Sequence, residues 1–143
     1  MTSCGGGGAG DGNSLPISNQ TLSGKIGGQP WSFVTGQTDS FLSDASQYFS
    51  TLYASAFTAC QSFATPSDVN YLLVELPTAV GSYGLSISRN ATLYDASTSY
   101  NWVATRGRIQ IDSITATTIT GGANITYNAD NAVDGQFQVS ICP

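Results

Sequence analysis

Short segments of alternating apolar and polar residues, separated by turn residues, run through most of this chain and limit the folds open to it. Between residues 108 and 114, Ile109 and Ile111 fall on one face and polar residues on the other, as in a half-buried strand. The segment 133–141 alternates in the same way, and Gly121-Gly122 predicts a turn between two further strands. The pattern predicts an all-β fold, an antiparallel β-sandwich or barrel of about nine to ten short strands.

Residues 39–57 are open to two interpretations. Their apolar side chains recur at helical spacing behind Asp39, a suitable N-cap, and this predicts one helix within 39–57. The same segment is rich in Ser and Thr, and Tyr48 to Tyr53 is rich in aromatic residues, which favours a strand. We favour a strand flanked by loops and keep the helix as the alternative.

The first residues predict a lipid anchor. Cys4 follows two small residues and precedes Gly5 to Gly8, as at the start of a mature bacterial lipoprotein, where the thiol carries diacylglycerol. We therefore interpret residues 1–16 as a flexible, Gly-rich tether and residues 17–143 as a single all-β domain. Gly5 after the acylated cysteine, rather than Asp, agrees with sorting to the outer membrane.

The two remaining cysteines, Cys60 and Cys142, predict a disulfide, because an even pair in an exported domain is commonly oxidised. Two unrelated buried thiols are the alternative. Either way, the anchor on Cys4 predicts an extracytoplasmic protein of the bacterial outer membrane or cell surface.

The composition argues against several classes of function. Charged residues make up 9% of the chain and its net charge is −5, with four basic residues in all, so nucleic acid is not expected as a partner. The chain has no histidine, the residue that most often serves as general base or metal ligand, and no cofactor is expected. A hydrolase remains as a third hypothesis; it would pair Glu75 with Asp95 or Asp112.

Two segments are candidate binding sites. Tyr100, Asn101 and Trp102 combine aromatic rings with an amide near a turn and could stack on sugars or peptides; burial in the core is the alternative for Trp102, and is the prediction for Trp31. Oxygen-bearing side chains between residues 128 and 134 could hold Ca²⁺, or could simply form a polar hairpin turn. The residues assigned to this metal hypothesis are Asn128, Asp130 and Asp134.

The stretch Gly24 to Phe33, in which a glycine turn precedes an aromatic residue, resembles the opening of small, uncharacterised secreted bacterial lipoproteins of the myxobacterial type. Other motifs that fit are Cys60, Pro77 to Tyr83, Gly107 to Ile111, Gly121 onward, Asp134 to Phe137 and Cys142. The resemblance implies an all-β domain behind a Cys-Gly-rich tether, with a strand at Tyr48 to Tyr53. It implies no established activity.

The sequence as a whole predicts a lipid-anchored, extracytoplasmic, non-enzymatic β domain with a binding or envelope-interaction role, and it does not identify the ligand. Its expected partners are the membrane, through the lipid on Cys4, and an envelope protein or glycan. A carbohydrate-binding or adhesive module that uses exposed aromatic residues is the alternative.

Overall fold

The computed structural model describes residues 15–143, which form eleven β-strands and no helix. The all-β prediction is confirmed. The strands are β1 (Ser23–Ile26), β2 (Gln29–Ser32), β3 (Thr35–Thr38), β4 (Gln47–Tyr53), β5 (Tyr71–Pro77), β6 (Gly81–Gly84), β7 (Ala91–Asp95), β8 (Tyr100–Ala104), β9 (Arg106–Ile114), β10 (Thr118–Asn128) and β11 (Asn131–Ser140).

The strands form one curled, half-barrel sheet in the order β6-β9-β10-β11-β3-β4-β5-β7-β8, with β1 beside β11 and β2 beside β1. Neighbouring strands are antiparallel except β11 and β3, which meet in parallel at Ser140 and Gln37. The strand count is slightly higher than predicted. Three of the strands, β9 to β11, are 9 to 11 residues long rather than short.

The turn predicted at Gly121-Gly122 is wrong, because both residues lie inside β10. A Cβ on Gly121 would collide with the carbonyl oxygen of Gln110 on β9. A Cβ on Gly122 would collide with Ile17, which crosses the sheet there. These glycines therefore permit close approach of neighbouring chain rather than a change of direction.

Residues 39–57 contain β4 and no helix, which confirms the strand flanked by loops. Strand β4 pairs with β5 from Gln47 to Tyr53, with Ser50 and Leu52 turned into the core. Two members of the helical stripe, Phe41 and Leu42, lie exposed in the preceding loop. Pairing with β5 over seven residues outweighs the local helical periodicity.

Strands β8 and β9 are two arms of one chain segment that bends at Thr105. The first arm pairs with β7, whereas the second pairs with β10 and β6. Gly107 follows the bend with φ of 142°, and a Cβ there would collide with the carbonyl oxygen of Asn124 on β10. The bend carries β8 towards the end of β10, where Trp102 meets Tyr127.

The core fills the concave side of the sheet with the inward residues of almost every strand. Trp31 is 4% exposed, as predicted. The largest fully buried side chains are Leu22, Ile26, Leu52, Leu72, Val74, Leu76, Leu93, Ile109, Ile111, Ile119, Ile125 and Val133. Burying branched aliphatic side chains on one face of each strand is the main stabilising contribution to this fold.

The predicted disulfide between Cys60 and Cys142 is confirmed, with its Cα atoms 5.2 Å apart. It ties the long loop between β4 and β5 to the chain after β11. The backbone N–H of Cys60 donates to the side chain of Gln37, and that of Cys142 donates to Thr38 Oγ1. Such a bond indicates an oxidising, extracytoplasmic environment.

Residues 16–22, which we call the strap, bind the chain to the outer face of the sheet before β1 begins. The carbonyl oxygen of Pro16 accepts a hydrogen bond of 2.7 Å from Asn124, and Ser18 bonds to the side chains of Asp134 and Gln136. Cys4 and the predicted tether up to residue 14 lie outside the described residues. Within residues 15–143, no helix could serve as a membrane span.

Candidate binding site at the turn end of the sheet

One end of the sheet is built from three tight turns that are bonded to one another; we call it the turn end. The β1–β2 turn meets the β10–β11 turn through Gly28, whose N–H donates to the carbonyl oxygen of Asp130. The N–H of Gly27 donates to Asn131 Oδ1 at 2.8 Å, and Asn131 is 2% exposed. Since a buried amide without partners is costly, these bonds hold the two turns in one arrangement.

The third turn, between β7 and β8, joins the turn end through Asn70. The Asn70 side chain donates to the carbonyl oxygen of Ile26 at 2.9 Å and accepts from the N–H of Ala96 at 2.8 Å. Its own carbonyl oxygen accepts a hydrogen bond from the indole of Trp31. One asparagine therefore fixes the β1–β2 turn, the β7–β8 turn and a core tryptophan relative to one another.

Three aromatic side chains lie together at the turn end and form what we call the aromatic triad: Tyr100, Trp102 and Tyr127. The ring centroids of Tyr100 and Trp102 are 4.5 Å apart, and those of Trp102 and Tyr127 are 5.1 Å apart. Tyr100 is 53% exposed and Tyr127 is 48% exposed, while Trp102 lies half-buried between them. The rings are inclined to each other by 53° and 57°, so they form a faceted surface rather than a closed stack.

The structure brings together two of the three residues that the sequence predicted for this site. Tyr100 and Trp102 share one face of β8, whereas Asn101 points to the opposite face and pairs with Tyr94 of β7. Tyr127 replaces it in the cluster, arriving from β10. Sequence reasoning missed Tyr127, because no local signal shows that β10 brings a side chain next to β8.

Polar groups occur within the triad and in the turn that follows it in the chain. The Nε1 atom of Trp102 is buried and has no hydrogen-bond partner within the part of the chain that the structure describes. In the turn that follows Tyr127, Asn128 Oδ1 accepts hydrogen bonds from the N–H of Asp130 and from the Asn131 side chain. The carboxylate of Asp130 lies in the same exposed turn.

The residues predicted for calcium are not gathered in one place. Asn128 and Asp130 share the β10–β11 turn, where Asn128 Oδ1 is engaged with the turn itself. Asp134 lies farther along β11, opposite Asn124, and accepts a hydrogen bond from the N–H of Ser18. Across residues 15–143, His, Cys, Asp and Glu side chains form no group of three suited to a metal ion.

Glu75 and Asp95, one of the two pairs considered for hydrolysis, lie far apart along their strands, and Asp112, the other partner considered, lies on β9. Glu75 lies on the outer face near the far end of β5, opposite Phe49. Asp95 is buried at the end of β7, next to the β7–β8 turn. The hydroxyl of Ser97 donates to its carboxylate at 2.7 Å, and this hydrogen bond is the main reason that the pKa of Asp95 lies below its ordinary value. Asp95 is therefore a turn-stabilising carboxylate at the turn end.

A second aromatic row crosses the outer face of the sheet at the same end. Tyr53, Tyr71 and Tyr94 occupy one register across β4, β5 and β7. Their ring centroids are 5.2 and 4.9 Å apart, and Phe57 packs edge-on against Tyr53. Aromatic pairs in cross-strand contact contribute about 0.5–1.5 kcal/mol each beyond their burial, so this row stabilises the sheet next to β8.

The phenol of Tyr71, the middle member of the row, should ionise later than an exposed tyrosine. Burial, and then the neighbouring phenols of Tyr53 and Tyr94, raise the pKa of Tyr71 above its ordinary value of 10.0. At pH values between the unfolded-state and folded-state pKa, the folded chain therefore keeps this proton, whereas the unfolded chain has lost it. The stability that depends on the neutral phenol is complete below pH 10 and is lost as the pH rises through the folded-state pKa.

An absorbance titration of the folded protein should show a late-ionising tyrosine that disappears in Tyr71→Phe. The unfolding free energy of this variant should also fall less steeply above pH 10. Simultaneous ionisation of all seven tyrosines in the folded state would contradict the prediction.

Comparison with known proteins adds no further constraint: no protein-family model, curated protein or solved structure matches this chain.

Proposed function

We propose that this protein is a lipid-anchored, extracytoplasmic binding domain of the bacterial outer membrane or cell surface, without enzymatic activity. It binds a component of the envelope or surface through the aromatic triad. The observation that carries the proposal is the half exposure of Tyr100 and Tyr127 on either side of Trp102, because large aromatic side chains left at the surface are typical of binding sites.

The rest of the molecule supports a rigid scaffold for such a surface. The turn end is held by Asn70 and Asn131, each of which bonds to more than one segment. The disulfide restrains the longest loop of the described chain. Binding residues held on strands and tight turns lose little conformational entropy when a ligand binds.

The anchor is tested by the intact mass of the protein from the membrane fraction of its own source cell. We expect the added mass of acyl chains on Cys4, and no such mass on a Cys4→Ser variant. An unmodified Cys4 in the native protein would refute lipid anchoring.

The binding surface is tested separately, with full-length Cys4→Ser protein so that no lipid contributes. Labelled protein should bind envelope fragments from the source cell, and Tyr100→Ser/Tyr127→Ser should weaken this binding about tenfold or more, as expected for central aromatic contacts. Phe63→Ser, at a fully exposed phenylalanine of the β4–β5 loop, is the matched control and should bind normally. The proposal would be overturned if the Tyr100→Ser/Tyr127→Ser variant bound as well as the Cys4→Ser protein, or if the Cys4→Ser protein did not bind envelope fragments at all.

A further inference from the structure

We infer that the aromatic triad is a site for a neutral sugar ring of an envelope or surface glycan. This inference rests on the proposed function and names the class of ligand. A pyranose ring has an apolar face of C–H groups and a rim of hydroxyls, so it needs an aromatic surface bordered by a few hydrogen-bonding groups.

The inclined rings of the triad supply the aromatic surface. With centroids 4.5 and 5.1 Å apart, they are close enough for one sugar ring to contact two of them. The negative face of an aromatic ring attracts the positively polarised C–H groups of a sugar. Because Tyr100 and Tyr127 are about half exposed, ring surface is available without movement of the strands.

The hydrogen-bonding rim is supplied by the triad and the adjoining turn. The hydroxyl groups of Tyr100 and Tyr127 donate or accept no hydrogen bond within residues 15–143. Asn128 uses Oδ1 to close its turn and leaves its amide hydrogens without an acceptor in the same range. These are neutral donors and acceptors of the kind that orient sugar hydroxyls.

The charge around the triad argues for a neutral ligand. The three turns of the turn end contain no Lys or Arg, and Asp130 is the exposed charge in the turn after Tyr127. Arg106 pairs with Thr126 rather than with Tyr127. The turn next to Tyr127 therefore carries a carboxylate and no guanidinium, which disfavours a phosphate or an acidic sugar as the ligand.

The position of the triad also argues against an extended peptide as ligand. Strand β8 ends the sheet order and pairs with β7 on one side. Addition of a peptide strand would use its other edge. Tyr127 packs against Trp102 beside β8, so the triad itself crowds the approach to that edge.

The test is a titration of full-length Cys4→Ser protein with cellohexaose, maltohexaose and mannohexaose, followed by tryptophan fluorescence. We expect at least one oligosaccharide to bind and to perturb Trp102, since the other tryptophan, Trp31, is buried in the core. Tyr127→Ala should weaken that affinity about tenfold or more. Tyr100→Phe should lose less affinity than Tyr100→Ala, and Phe63→Ser should bind the oligosaccharide as tightly as the unmutated surface does. Urea midpoints confirm that each variant is folded.

The outcomes separate the sugar site from the wider proposal. An oligosaccharide that competes with envelope binding supports both. Envelope binding that depends on the triad, without binding of or competition by any of the three oligosaccharides, overturns the sugar site and leaves the binding function standing. Oligosaccharide binding that is unchanged in Tyr100→Ala and in Tyr127→Ala overturns the site, and failure of the Cys4→Ser protein to bind either oligosaccharides or envelope fragments overturns both proposals.

Discussion

Removal of the Cys60–Cys142 disulfide is expected to lower the free energy of unfolding by about 4.5 kcal/mol, because the bond closes a long loop in the unfolded chain. The two cysteines are 82 residues apart, and the entropy lost by the cross-linked unfolded chain grows with the logarithm of that separation. The Cys60→Ser/Cys142→Ser double variant should therefore unfold at a much lower urea concentration.

Within the folded protein, the local effect should be greatest in the loop between β4 and β5 and in the chain after β11, which the bond joins. The N–H groups of Cys60 and Cys142 donate to Gln37 and Thr38 respectively, and these contacts lose a covalent restraint when the bond is removed. Hydrogen exchange should be faster in these segments of the double variant. Cys4→Ser, which leaves the disulfide intact, is the control, and a double variant as stable as this control would contradict the expectation.

Gly107→Ala should cost about 3 kcal/mol or more, because it combines backbone strain with a collision. Gly107 has φ of 142°, and an added Cβ would meet the carbonyl oxygen of Asn124. Neither Gly107 nor Asn124 can shift to relieve the collision, because β9 and β10 are paired along this stretch. The collision should distort the backbone at Thr105 to Gly107 and move β8 away from β10.

Gly28→Ala separates the two causes. Its φ is 76°, but an added Cβ would lie 3.8 Å from the carboxylate of Asp130, an ordinary contact. It should cost only about 1–2 kcal/mol, the value for left-handed backbone alone. Urea denaturation of both variants measures the difference, and a Gly107→Ala protein within 1 kcal/mol of Gly28→Ala would show that close approach at the bend matters little.

Binding should respond to these variants differently from stability. Gly107 is not a member of the triad and pairs with Ile125 of β10, yet the bend beside it brings Trp102 to Tyr127. A folded Gly107→Ala protein should therefore bind envelope fragments more weakly than Gly28→Ala.

The features predicted from the sequence are those encoded over a few residues. Alternation between residues 108 and 114 identified a strand, because the inward and outward positions of a strand differ by one residue. The disulfide followed from the pairing of two cysteines in an exported chain. The composition of Tyr48 to Tyr53 favoured the strand that the structure contains.

The features that were missed depend on neighbours distant in the chain. Gly121-Gly122 looked like a turn, since the reason for two glycines lies in the backbone of Gln110 and in Ile17, which pass close by. Asn101 is the exception, because the two-residue repeat of a strand already places it on the opposite face from Tyr100 and Trp102. Tyr127 joins the triad through the bend at Thr105, and no local pattern predicts which strand a bent chain will approach.

The strap has a mechanical consequence. If a lipid holds Cys4, any pull between the cell and a bound ligand enters the domain at Pro16 and acts first on the hydrogen bond of Pro16 and the two of Ser18. The next restraints are the backbone hydrogen bonds that join Gln20 and Leu22 to Gln136, and Leu22 is also fully buried and resists extraction. Release of residues 16–21 would lengthen the connection to the membrane by at most about 20 Å while the sheet stays folded, so the strap would extend under load before the sheet unfolds.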